Sequence, residues 1–181
     1  VLGLLFDDWM EAHLYNAYVV AATLIIYGVL FIVLENSSIT ANPSITKVGH
    51  VSTKTALFIG LFQLLSLVPG TSRSGSTILG AMVLGCSRGV AAEYSFFLSI
   101  PVMFGASFLK LVKFFVKGNV LTGPQIFYTI LGMAIAFGVS VYSIQFLMGY
   151  VRRHDFKFFG YYRIILGVVV LAYFGITALA A

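Results

Sequence analysis

Five hydroxyl side chains surround a single arginine in residues 69–77 of this chain. The hydroxyl residues around Arg73 are Thr71, Ser72, Ser74, Ser76 and Thr77. A guanidinium group presents N–H donors in a rigid fork that matches the oxygens of a phosphate group. Gly70 and Gly75 have no Cβ, so they let a bulky anion approach the backbone closely. The residue types and their spacing therefore predict an anion-binding site, with phosphate as the preferred anion.

The chain around this segment has the composition of a membrane protein. Of its 181 residues, 60% are hydrophobic and 9% are charged, and the mean hydropathy is +1.00. Soluble domains carry about 25% charged residues. Placing an arginine at membrane depth costs free energy, so an arginine found there indicates a functional site. The net charge of +5 does not indicate nucleic-acid binding, because the basic residues are scattered over loops between apolar segments.

Four uncharged apolar segments are long enough, or nearly so, to cross a bilayer, which takes about 18 to 20 residues. They run over residues 17–34, 94–109, 118–151 and 164–181. A fifth apolar stretch, residues 55–87, would form a helix of about 50 Å against a hydrocarbon core of about 30 Å. Pro69 and Gly70 interrupt it, so it predicts either a broken helix that crosses once or a re-entrant hairpin.

The distribution of basic residues favours the re-entrant hairpin. With a hairpin, six basic residues lie on one side of the membrane and three on the other. The six are Lys47, Lys54, Arg88, Arg152, Arg153 and Lys157, and the three are Lys110, Lys113 and Lys117. With a crossing, the split would be five to four. The positive-inside rule thus predicts a hairpin that enters from the cytoplasmic face, with the C-terminus outside.

The second arm of this hairpin is predicted to begin as a helix near Thr71 or Ser72, whose hydroxyls suit an N-cap. The free backbone N–H groups of Arg73, Ser74 and Gly75 would then converge at the positive end of a helix dipole. The alternative is a broken helix whose hydroxyls satisfy their own backbone and whose arginine pairs with a buried acid. A nucleotide-binding P-loop is excluded, because serine stands where its lysine is required.

Other polar residues receive structural interpretations. His13, His50 and His154 lie in polar segments outside the predicted spans, and the lone Cys86 is interpreted as packing. Glu93 is taken as the only carboxylate within an apolar helix, and we expect it to neutralise Arg88, Arg163 or Arg73. Arg163 itself is given a structural role. The small residues Gly132, Ala136 and Gly138 predict close helix packing.

Several segments resemble the bacterial undecaprenyl-diphosphate phosphatase family, UppP or BacA. The segments are residues 69–77 (PGTSRSGST), 91–96 (AAEYSF), 99–101 (SIP), 159–167 (FGYYRIILG) and 60–63 (GLFQ). The similarity covers the chain from about Asp7 onward, as the C-terminal two-thirds of the family's length. The resemblance implies removal of the terminal phosphate from a C55 isoprenoid diphosphate in the bacterial cytoplasmic membrane, and bacitracin resistance.

The resemblance also implies a fold and a set of site residues. The fold is an all-α integral membrane protein with about four transmembrane helices and one re-entrant hairpin, the second of two in an inverted repeat. It gives catalytic or phosphate-contacting roles to Ser72, Arg73, Ser74 and Thr77. It places Gly70, Thr71, Gly75 and Ser76 in the same substrate-binding motif. Gln63, on the first arm, is expected to donate a supporting hydrogen bond.

The chain lacks two motifs that the family carries upstream. These are a pair of acidic or amide residues spaced by three, and a Ser-Ser-Thr-Gly-His segment. The ligands of a divalent cation, Mg²⁺ or Ca²⁺, are therefore expected in a missing N-terminal third, and this chain alone is expected to be inactive. A transporter or flippase for an anionic lipid is the alternative function, and a structural membrane subunit is a third. The sequence leaves open whether the protein forms a homo-oligomer.

Overall fold

The computed structural model describes Met10, residues 13–151 and residues 153–180. Arg152 and Asp7 lie outside the described residues. Within them the fold is all-α, as the sequence predicts, and the only strand-like pairing is one bridge between Ile45 and Cys86. The helices are α1 (Ala17–Glu35), α2 (Ser38–Ala41), α3 (Thr53–Leu64), α4 (Arg73–Val83), α5 (Arg88–Val116), α6 (Gly123–Val151) and α7 (Lys157–Ala180).

Four of these helices, α1, α5, α6 and α7, are long and apolar enough to cross a membrane. They overlap the four predicted segments, and their number agrees with the prediction. Two of them start before the apolar segment does, at Arg88 in α5 and at Lys157 in α7. Both added segments begin with a basic residue, as expected for a helix end at the membrane–water boundary.

Side-chain caps determine where several helices begin. Asn16, Ser52, Ser72 and Ser87 each stand just before a helix, and each accepts a hydrogen bond from a backbone N–H in the first turn. Such caps satisfy donors that have no partner within the helix. The predicted start of a helix at Ser72 is therefore confirmed.

Helices α3 and α4 form a hairpin around the interruption at residues 68–72. Gly70 has a φ of +83°, a left-handed conformation that glycine adopts without strain. Away from the turn, the two helices touch where Gly80, in the second half of α4, lies against the ring of Phe62. Two helices joined by a turn are thus found where the sequence predicts a break, while a re-entrant course through a bilayer, its depth and its side of entry stay predictions.

The pairing of α1 with α7 forms the other main contact. Two glycines let these helices approach closely. A Cβ added at Gly28 would lie 2.7 Å from the carbonyl oxygen of Gly160, and one added at Gly167 would lie 2.9 Å from that of Ala21. The buried core lies where α1 meets the hairpin and the start of α5. Its members include Tyr27, Phe31, Ile59, Met82 and Ala91.

Helix α6 is exposed along most of its length. Only residues near its C-terminal end, Leu147, Met148 and Val151, pack against the core. A Cβ added at Gly132 or Gly138 would meet nothing within 4 Å. The predicted close packing of this small-residue face is therefore not found among the described residues.

Candidate functional site

A cavity of about 190 Å³ lies between the first turn of α4 and helices α1, α5, α6 and α7. Its polar lining consists of Ser72, Ser74, Ser95 and Arg163, with the backbone of Gly75 between them. The remaining wall is apolar and largely aromatic. It is formed by Phe31, Ile78, Ala92, Phe96, Leu147, Val151, Phe156 and Phe159. The cavity therefore has a polar end, at the start of α4, and an apolar wall.

The start of α4 is organised by Ser72. Its Oγ accepts a hydrogen bond from the N–H of Gly75 at 3.2 Å, and its carbonyl oxygen accepts from the N–H of Ser76 at 2.9 Å. The N–H of Gly75 is thus already bonded, which corrects the prediction that it is free. The N–H groups of Arg73 and Ser74 belong to the first turn and have no acceptor within the helix. They and the helix dipole leave this end positive.

Arg163 reaches the same point from α7. Its Nη1 is buried, has no hydrogen-bond partner, and lies 3.5 Å from where a Cβ of Gly75 would be. Its guanidinium carbon lies 5.9 Å from the ring centroid of Tyr27, a cation–π contact. A buried donor without an acceptor is costly, so an anion in the cavity would relieve it. The structural role given to Arg163 from sequence stays a prediction; its charge within an apolar span was the signal that could have pointed to its place in the cavity wall.

Arg73 also has a buried Nη1 without a hydrogen-bond partner. It forms no ion pair with any described residue, so the alternative of a buried acid beside it finds no support in this part of the chain. Its side chain is not part of the cavity lining. Two guanidinium groups therefore have an unsatisfied buried donor: that of Arg163, in the cavity wall, and that of Arg73, on α4 but outside the lining.

Two of the predicted hydroxyl residues lie behind the cavity. The Oγ of Ser76 donates to the hydroxyl of Tyr27 on α1 at 3.3 Å, and Thr77 shares a 2.6 Å hydrogen bond with Ser95 on α5. Ser76 and Thr77 are buried, with 0% and 1% of their surface exposed. These bonds attach α4 to its neighbours. The predicted convergence of five hydroxyls therefore reduces to Ser72 and Ser74 at the cavity.

The remaining predicted residues do not line the cavity. Gly70 lies against α1, where an added Cβ would be 2.6 Å from the carbonyl oxygen of Val20, and Thr23 donates to the carbonyl oxygen of Pro69 at 2.8 Å. This close approach to α1 explains why residue 70 is a glycine, and no bound anion is needed to account for it. Thr71 is buried in the turn, and Gln63 lies on α3. Their binding roles stay predictions.

Arg88 pairs with Glu35, which corrects the expectation that Glu93 neutralises it. Both oxygens of the buried Glu35 carboxylate accept hydrogen bonds from Arg88 Nε at 2.9 Å. Glu93 forms no ion pair with a described residue, and it lines a separate cavity of about 550 Å³ with Lys47 and Arg88. Sequence reasoning missed Glu35 because the predicted span ended one residue earlier.

The cavity does not match a primary ligand set for Mg²⁺ or Ca²⁺. Both cations prefer carboxylate, carbonyl and water oxygens. The cavity side chains offer hydroxyls and a guanidinium, and the described part of the chain contains no group of three or more His, Cys, Asp or Glu that could hold a metal ion. The histidines His13, His50 and His154 are exposed and lie outside the lining. These cavity residues therefore supply neither a metal site nor a base.

A family model described as bacitracin resistance protein BacA matches residues 1–169. The chain belongs to the BacA family. A protein named undecaprenyl-diphosphatase from Streptococcus mutans is 55% identical over 173 residues, which are 96% of this chain and 62% of that protein. One of the same name from Lactobacillus delbrueckii subsp. bulgaricus is 57% identical over 170 residues, 94% of this chain and 62% of the relative.

A third relative of that name, from Lactiplantibacillus plantarum, is 56% identical over 174 residues and is covered to 63%. The chain thus spans about three fifths of the length of these curated relatives, slightly less than the predicted two thirds. The resemblance found in residues 69–77 is confirmed. Together with the four apolar helices, membership of the BacA family identifies a multi-pass membrane protein.

Proposed function

We propose that this chain forms the phosphate-binding part of an enzyme that hydrolyses undecaprenyl diphosphate to undecaprenyl phosphate and inorganic phosphate. The observation that carries the proposal is the cavity at the start of α4. Arg163 and the first turn of α4 meet there, and Arg73, a residue of that turn, has a second unsatisfied donor. The names of the similar proteins supply the substrate, and recycling of the lipid carrier for peptidoglycan synthesis follows from it.

The dimensions of the cavity suit a headgroup and exclude the lipid chain. A cavity of about 190 Å³ has room for a phosphate group, which is the size of a few water molecules, but not for a C55 chain. The isoprenoid chain would leave along the apolar wall, past Phe96 and Phe159, toward the bilayer. The phosphate would lie at Ser72, Ser74 and Arg163.

The proposed chemistry is phosphoryl transfer to water. Water attacks the terminal phosphorus, the anhydride P–O bond breaks, and undecaprenyl phosphate leaves. Arg73, Arg163 and the first-turn N–H groups would stabilise the charge on the phosphoryl oxygens in the transition state. Ser72 and Ser74 would hold these oxygens by hydrogen bonds. The described cavity lining offers no base to take a proton from the attacking water, so we place that base outside this lining.

The remaining features follow the resemblance. The carboxylate ligands of a divalent cation, Mg²⁺ or Ca²⁺, would lie in the part of the relatives that this chain does not cover. The protein would lie in the bacterial cytoplasmic membrane. The α3–α4 hairpin would enter from the cytoplasmic face, and the C-terminus would be extracytoplasmic.

Release of phosphate by the full-length protein in proteoliposomes tests this function. Arg73→Ala and Arg163→Ala should each lower kcat/KM for undecaprenyl diphosphate by about 10² to 10³, as removal of preorganised donors does elsewhere. The matched control is Lys157→Ala, a partly exposed cation on α7 that pairs only loosely, at 3.8 Å, with Asp155. It should retain activity within about twofold.

Two outcomes would contradict the proposal. Wild-type turnover in both arginine variants would remove the cavity as the phosphate site. Movement of the lipid between leaflets without any phosphate release by the wild-type protein would favour a transporter.

A further inference from the structure

Glu35 is a buried carboxylate at the junction of three helices. Its side chain is 0% exposed, although it ends the apolar helix α1. It accepts hydrogen bonds from both Nε and Nη2 of Arg88, the first residue of α5, and one at 2.9 Å from the backbone N–H of Phe156, the residue before α7. We call Glu35, Arg88 and Phe156 together the Glu35 junction. A buried carboxylate so fully bonded fixes the groups that bond to it.

The Glu35 junction determines where α7 starts relative to α1. The carbonyl oxygen of Phe156 accepts the first helical hydrogen bond of α7, from Gly160 at 3.1 Å, so Phe156 occupies the N-cap position. The N–H of this residue has no acceptor within the helix, and the carboxylate supplies one. Its negative charge also suits the positive end of the helix dipole.

Arg163 lies at the other end of the same pairing. It follows Phe156 by seven residues, two helical turns or about 10 Å, so the two lie on nearly the same face of α7. On α1, Tyr27 precedes Glu35 by eight residues, about 12 Å. The antiparallel helices therefore meet twice at matching separations, at Glu35 with Phe156 and at Tyr27 with Arg163. Moving α7 along its axis at the junction would move Arg163 relative to the start of α4.

We propose that Glu35 is a positioning residue for the phosphate site: its carboxylate, oriented by Arg88, fixes the axial position of α7 and so holds the Arg163 guanidinium at the cavity. The inference rests on the proposed function of that cavity. Glu35 is not in the cavity lining, and its hydrogen bond to a lining residue is to the backbone N–H of Phe156, so it acts through Arg163 and takes no part in the reaction.

The test compares Glu35→Gln with Asp155→Asn in the full-length protein. Both convert a carboxylate into an amide beside Phe156, but Asp155 is partly exposed, and its hydrogen bond and ion pair are with Lys157 instead of with Phe156 or Arg88. Glu35→Gln should lower kcat/KM for phosphate release from undecaprenyl diphosphate about tenfold or more, and Asp155→Asn should stay within about twofold. Hydrogen exchange of the amides in residues 159–164 should quicken in Glu35→Gln only.

A double variant separates positioning from a general structural role. If Glu35 acts through Arg163, Glu35→Gln should cost little more in an Arg163→Ala background, because the group it positions is gone. Losses that multiply independently in the double variant would overturn the proposal. So would full wild-type kcat/KM in folded Glu35→Gln.

Folding failure is handled by a second variant. Glu35→Gln with Arg88→Gln leaves no unpaired buried charge, so it should fold even if Glu35→Gln alone does not. It should show the same loss of kcat/KM, and wild-type turnover in it would refute the positioning role. A wild-type protein that releases no phosphate contradicts the proposed function instead. In that case, unchanged hydrogen exchange in residues 159–164 of Glu35→Gln would still refute the claim that Glu35 fixes the position of α7.

Discussion

Replacing Thr77 with valine distinguishes a phosphate-contacting hydroxyl from a structural one. The family resemblance gives Thr77 a place in the phosphate-binding motif. The structure places its hydroxyl 2.6 Å from that of Ser95, with 1% of the residue exposed, and directs it also to the carbonyl oxygens of Arg73 and Ser74. Valine keeps the shape and removes the hydroxyl. We expect the change to act on stability.

The magnitude follows from the group left behind. Without its partner, the buried hydroxyl of Ser95 loses its only recorded bond, which costs about 1 to 3 kcal/mol. Ser95→Ala should cost about 0.5 to 1.5 kcal/mol, because Thr77 keeps its bonds to carbonyl oxygens. The double variant leaves no orphaned hydroxyl. Its cost should therefore fall below the sum of the two single costs by about 1 kcal/mol.

The assay measures unfolding and turnover on the same purified variants. For a chain of this size, 1 kcal/mol corresponds to roughly 2 to 4 °C in melting temperature. At a temperature where all variants are folded, kcat/KM for phosphate release should stay within about threefold of the wild type in all three.

A different pattern would refute this reasoning. If Thr77→Val alone lowers kcat/KM by about 10² while Ser95→Ala does not, the hydroxyl contacts the substrate and the buried pair is not its role. Strictly additive stability losses would show that the two hydroxyls are not coupled.

Two further predictions concern the α1–α7 pairing and its contact with α4. Gly28→Leu should destabilise the protein by about 1 to 3 kcal/mol in a thermal melt, because the Cβ of the leucine would lie 2.7 Å from the carbonyl oxygen of Gly160. The control Gly132→Leu changes an open position, so its effect should stay within about 0.5 kcal/mol in the same melt. Equal losses would contradict the packing. Tyr27→Phe should lower the free energy of unfolding by about 1 kcal/mol, because the hydrogen bond from Ser76 is lost, while kcat/KM for phosphate release should change less than about twofold. A loss of kcat/KM beyond tenfold would show that the Tyr27 hydroxyl takes a direct part in substrate binding or catalysis.

The local pattern of the sequence predicted the elements of this fold well. Segment length and hydropathy identify helices independently of their neighbours, so the four spans and the break at Pro69 and Gly70 were predictable. The N-cap at Ser72 was predictable for the same reason, since a hydroxyl cap acts within one turn. These features depend on residues a few positions apart.

The site was only partly predictable because it depends on contacts between distant segments. Ser72 and Ser74 face the cavity, as their motif indicates. Thr77 turns away from it, because α5 brings Ser95 within hydrogen-bond distance. Arg163 and Glu35 gain their importance from the pairing of α1 with α7, across a separation of 121 residues between Glu35 and Phe156. No local pattern encodes such a pairing.

The same pairing determines when the cavity can exist during synthesis. The α3–α4 hairpin with Ser72 and Ser74 leaves the ribosome well before α7. The positive end of α4 is therefore synthesised before Arg163, the cation that α7 adds to the cavity. Contacts between segments so far apart in sequence form late, after intervening helices have inserted. The phosphate site would therefore be completed only when α7 closes against α1. A chain stopped after α6 would carry the whole Pro69–Thr77 motif and still lack a finished site.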